Sequence, residues 1–85
     1  MKGDYEDIPN SRIKEVIEEY IHSDRDRIIL TLNLIDNWTY QQISDYLYKL
    51  DEDNRKQGIN SRYYLTYKQV GRVVLRLEKI VFKHI

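Results

Sequence analysis

Twice along this chain a Thr-x-x-Gln pair stands directly before apolar residues spaced three and four apart. Thr39 and Gln42 precede Ile43, Tyr46, Leu47 and Leu50; Thr66 and Gln69 precede Val70, Val73, Val74, Leu77, Ile80 and Val81. In such a capping box the threonine hydroxyl accepts from the backbone N–H three residues on, and the glutamine reaches back to the threonine N–H. Two donors that a helix start leaves unpaired are satisfied together. The spacing then lays one apolar stripe along each helix, and each stripe needs a partner surface.

Two further helices are expected upstream. Ile13, Val16, Ile17, Tyr20 and Ile21 share one helical face, with Asn10 or Ser11 as the cap. Ser23, followed by Asp24 and Asp26, supplies a cap and two first-turn carboxylates for a second helix beginning near Asp24. Ile28, Ile29, Leu30, Leu32, Leu34 and Ile35 make that helix apolar nearly all round, so the others are expected to pack against it, and Asp36-Asn37 ends it. The third helix is predicted over about residues 40–50. The polar stretch 51–65, which contains Gly58, then forms an insert longer than the usual ~4–6-residue connection. Residues 1–9 carry no sustained period and end in the only proline, which predicts a flexible N-terminal arm.

Composition agrees with an all-α reading. Three glycines and one proline in 85 residues are too few for a sandwich or barrel, and 41% hydrophobic residues are too many for a disordered chain. The expectation is one small four-helix domain over residues 10–85, too short for a multi-step enzyme. With no cysteine, a disulfide framework and a cysteine zinc site are excluded. No apolar run is longer than the three residues 28–30, far short of the ~20 residues a membrane span needs. A soluble cytoplasmic protein is expected, with no cofactor, no metal and no membrane partner. His22 and His84 have no placed nucleophile or ligand spacing, and no glycine-rich phosphate loop is present, so catalysis is not expected.

The formal net charge of zero hides a segregation. Residues 1–27 hold five basic and eight acidic side chains, whereas residues 63–85 hold five basic and one acidic. At ~100° per residue, Lys68, Arg72, Arg76, Lys79 and Lys83 fall within roughly 80° of one another, opposite the apolar stripe of the last helix. Such a ridge fits phosphates, or a helix laid in the major groove whose first residues, Tyr67, Lys68, Gln69 and Arg72, reach base edges and backbone. The same charges also suit an ordinary solvated face, or one paired with acidic helix one in the fold or across a dimer. Gly71 costs the helix ~1 kcal/mol relative to alanine, which close approach to DNA or to a neighbouring helix would offset. Tyr63, Tyr64 and Tyr67 cluster beside Arg62 and Lys68, either to stack on bases or to cover the loop.

SDRDRIILTLNLIDNWTYQQISDYL, with its Tyr40-Gln41-Gln42-Ile43 motif, and the later TYKQVGRVVLRLEKI together resemble the fourth region of bacterial sigma factors and related small phage-encoded regulators. The resemblance covers residues 23–50 and 66–83, roughly half the chain. It implies a scaffold helix followed by a helix-turn-helix, binding of promoter DNA through the recognition helix, and contact with RNA polymerase. Carried onto this chain, Lys68, Gln69, Arg72 and Arg76 would contact DNA, with Thr39 and Tyr40 near the backbone. Family members join the two helices by a tight turn, where this chain has the stretch 51–65.

The leading expectation is therefore a DNA-binding transcription regulator of phage or mobile-element origin. Lys68, Arg72, Arg76, Lys79 and Lys83 would neutralise phosphates, and Lys68, Gln69 and Arg72 would supply specificity. A competing expectation is a protein-interaction module that binds RNA polymerase or another host protein. A third is a homodimer with helix one against helix four.

Overall fold

The computed structural model describes residues 8–85. Four α-helices carry the described chain: α1 (Asn10–Tyr20), α2 (Asp24–Leu30), α3 (Tyr40–Lys56) and α4 (Tyr67–Lys83). Of the expected N-terminal arm, residues 1–7 lie outside the described residues, and Ile8 and Pro9 enter α1 without helical structure.

The cap of α1 differs from expectation. Pro9, in extended backbone, occupies the cap position, and its carbonyl accepts from Arg12 N–H at 3.0 Å and Ile13 N–H at 3.2 Å. Asn10 already lies inside the helix, and no side chain caps the start. Ile13, Val16 and Ile17 are buried, as is Ile21 just past the helix end. Tyr20, placed by its spacing on the same face, stays 39% exposed and stacks on His84 with ring centroids 3.9 Å apart.

At the start of α2, the Ser23 hydroxyl accepts from Asp26 N–H at 3.4 Å, with Asp24 and Asp26 in the first turn. The helix runs without interruption into a π-helical turn, Thr31–Ile35. Asn37, at φ 59°, turns the chain so that Trp38 N–H reaches the Leu32 carbonyl at 2.9 Å, and Asn33 Nδ2 donates to the Trp38 carbonyl at 3.0 Å. Ile29 and Leu30 are fully buried, each contributing about 1.5–3 kcal/mol by its removal from water. α2 and its π turn contact the other three helices, as their apolar circumference requires. Arg27 also fastens α1, donating from Nη2 to the Glu18 carbonyl at 2.8 Å and from Nε to the Ile21 carbonyl, both left open by the end of α1.

Both capping boxes form. Thr39 N–H donates to Gln42 Oε1 at 2.9 Å and Gln42 N–H to Thr39 Oγ1 at 3.2 Å; the corresponding distances for Thr66 and Gln69 are 3.0 and 3.3 Å. The end of α3 corrects the predicted boundary. Residues 51–56 are helical, so the insert expected over 51–65 shrinks to a connection over residues 57–66. These two turns lack an apolar period, but they present Asp51 inward and end in a Schellman motif. Ile59 N–H donates to the Asn54 carbonyl at 2.8 Å and Gly58 N–H to the Arg55 carbonyl at 3.0 Å, with Gly58 at φ 78°.

The core gathers Ile13, Val16 and Ile17 of α1, Ile29 and Leu30 of α2, Ile43 and Leu47 of α3, and the stripe Val70, Val73, Val74, Leu77 and Val81 of α4. Arg12 Nη2 donates to the His84 carbonyl at 3.1 Å, joining α1 to the end of α4. The pairing of helix one with helix four is thus made within one chain. Among the described residues, no helix is long and apolar enough to cross a membrane.

Candidate nucleic-acid interface

The start of α4 is set by a connection that doubles back along α3. Asp51, 2% exposed, receives the Ser61 hydroxyl, the Tyr63 N–H at 2.8 Å and the Tyr64 N–H at 2.8 Å. The Ser44 hydroxyl, two turns nearer the start of α3, donates to the Leu65 carbonyl at 2.7 Å. The chain therefore leaves the far end of α3, returns alongside it, and opens α4 against the first half of α3. There the Tyr40 ring lies over Gly71: a Cβ on Gly71 would stand 2.9 Å from Tyr40 Cε2. The glycine accommodates a neighbouring helix, not a nucleic acid.

Burial alone would raise the pKa of Asp51. The hydrogen bonds from Ser61 and from the Tyr63 and Tyr64 amides, with the Arg55 guanidinium nearby, outweigh that effect and hold the carboxyl below its ordinary value. Asp51 is therefore an ionised anchor. No local pattern marks it, because its partners lie ten to thirteen residues downstream.

With the apolar stripe of α4 turned into the core, Lys68, Arg72, Arg76, Lys79 and Lys83 all stand on the exposed face. Among the described residues none of the five joins an ion pair; the salt bridges there are Arg12–Glu15 and Arg25–Asp26. The pairing of this ridge with the carboxylates of helix one, considered above for the fold, is not made. Spread over about 22 Å of helix at ~1.5 Å per residue, the ridge exceeds the ~12 Å width of a B-DNA major groove. A helix seated across the groove thus brings its ends to the phosphates on either side and its middle to the base edges.

The other expected contacts differ in their availability. Tyr67 is 49% exposed beside Lys68. Gln69 is exposed, but its Oε1 accepts from both Thr66 N–H and Thr66 Oγ1, so a bidentate contact to adenine would require release of the cap. Thr39 is engaged in the same way by Gln42, and Tyr40 is half-buried against Gly71. Of the clustered tyrosines, Tyr63 packs on the core, while Tyr64 is 47% exposed with its ring edge-to-face with Tyr48. Leu75 was not singled out by its sequence, yet it is 56% exposed on the same face as the cations. Its register, three residues after Arg72 and four before Lys79, was the available signal.

Compared with known protein families, curated proteins and solved structures, the chain matches none.

Proposed function

We propose that this chain is a small DNA-binding transcription regulator, resembling the fourth region of sigma factors and of phage or mobile-element origin, that sets α4 into the major groove. The reading rests on one observation above the others: five cations occupy one exposed face of α4 without an ion pair among the described residues, while the opposite face is buried. Lys68, Lys79 and Lys83 neutralise phosphates and Arg72 and Arg76 face the groove, with Tyr67 at the rim. The return of the connection to Ser44 supports the reading, because it opens α4 beside the first half of α3 despite the long connection.

Fluorescence anisotropy of a labelled duplex pool tests it. Three phosphate contacts predict a loss of affinity of about 40-fold between ~50 and ~200 mM salt. Absence of binding at the lower concentration refutes the proposal.

A second reading, docking to RNA polymerase or another host protein, is favoured by a separate observation. An open groove of about 450 Å³ is lined by Ile17, Ile28, Leu32 and Tyr46 together with Glu18, Arg27 and Thr31. Capture of RNA polymerase that survives ~500 mM salt, with no duplex binding, would select it, since surface charge attraction is screened there.

A further inference from the structure

We propose that Leu75 is a specificity-determining residue that reads the C5-methyl group of a thymine in the major groove. The inference rests on the DNA-binding reading of α4 and adds an apolar element to it. Among the described residues, Leu75 is the most exposed of the large hydrophobic side chains, at 56%. It stands midway along the ridge and at its edge, beside the line of Lys68, Arg72, Lys79 and Lys83, three residues after Arg72 and four before Lys79. The buried face of α4 uses Val70, Gly71, Val73, Val74, Leu77 and Val81, so Leu75 contributes nothing to the core.

The neighbours of Leu75 decide what it meets. A second copy of this helix packed on the same line would bring Arg72 and Lys79 against like charges, which opposes a leucine-centred dimer. An anionic partner with an apolar spot between its charges fits instead. The major groove of B-DNA offers that arrangement, with phosphates on both rims and the thymine methyl on its floor. The deep, narrow major groove of an RNA duplex does not admit the helix, and RNA lacks the methyl group. Leu75 follows Arg72 by one turn, which brings it to the groove floor when the first half of α4 faces the bases.

The test uses the full chain and a duplex selected by the protein from a random-sequence pool. Each thymine of that duplex is replaced in turn by deoxyuridine, which removes only the methyl group. Loss of one buried methyl predicts about fourfold weaker binding at one or two positions. In Leu75→Ala that penalty should fall close to onefold, while the salt dependence of binding remains that of the natural chain. Leu75→Met, which keeps an apolar side chain of similar length, should restore it. Both substitutions lie on an exposed helical surface and leave the core intact. Salt-sensitive binding with no uracil penalty, or with a penalty equal in Leu75→Ala, overturns the role of Leu75 and leaves the α4 reading standing. Failure of the natural chain to bind any duplex overturns both.

Discussion

The ring of Tyr40, the first residue of α3, rests on Gly71 in the second turn of α4, so close that a Cβ at Gly71 would sit 2.9 Å from Tyr40 Cε2. Two opposing effects meet at this position. Alanine is worth about 1 kcal/mol more than glycine inside a helix, whereas forcing a methyl group into an occupied site costs about 1–3 kcal/mol. Gly71→Ala is therefore expected to lower stability by about 1 kcal/mol. In a Tyr40→Ala background the sign should reverse, and the same change should stabilise by about 1 kcal/mol. Urea unfolding of the four proteins measures the cycle, and an unchanged sign would show that the ring does not set the cost.

Asp51 provides the second prediction. Asp51→Ala leaves the Ser61 hydroxyl and the Tyr63 and Tyr64 amides without their acceptor, and is expected to cost about 1–3 kcal/mol at neutral pH. Faster amide exchange at Tyr63 and Tyr64 than in α2 would place the loss in the connection.

The acid limb of the stability curve should carry the same group. The folded carboxyl titrates below its ordinary value of 3.8, so as pH falls the unfolded chain takes up the proton first. Its contribution is fully present above that value and declines as pH drops below it, toward the folded pKa. Unfolding free energies measured from pH 6 to pH 3 should fall less steeply at the acid end in Asp51→Asn than in the natural chain.

Thr66 separates the capping role from nucleic-acid contact. Thr66→Ala removes the hydroxyl that accepts from Gln69 N–H and is expected to destabilise by about 1 kcal/mol. Gln69→Ala should also lose stability, because its side-chain oxygen serves the Thr66 N–H. An unaltered melting temperature in Gln69→Ala would argue against that engagement.

Lys79→Ala and Lys83→Ala should weaken binding to every duplex to a similar extent, each reducing the salt slope by about 0.9. Titration of two unrelated duplexes at several salt concentrations measures this. A variant that weakened binding to one sequence alone would move that lysine from phosphate to base contact.

What the sequence disclosed follows the range of the interactions concerned. Ser23, Thr39 with Gln42, and Thr66 with Gln69 act within three residues, and all three caps form as their spacing predicts. The apolar stripe of α4 was legible for the same reason, and it places the five cations on the opposite, exposed face. The last turns of α3 were not. Residues 51–56 are polar throughout, and their order depends on Asp51 holding amides ten or more residues away; Gly58 was the local mark of the true helix end. The π turn over Thr31–Ile35 and the capping of α1 by Pro9 were not anticipated either. Gly71 pointed to a close approach, but only the folded chain identifies Tyr40 as the neighbour.

The clasp between Ser44 and Leu65 separates the length of the connection from the placement of α4. Residues 57–60, past the end of α3, are all exposed and none belongs to the apolar core. That tip lies beyond the residues Asp51 holds, and fusion of another peptide there is expected to leave α4 beginning at the same point. The molecule thus carries a natural grafting site, where a fluorophore or a second recognition module would ride beside α3 without entering the packing of the four helices.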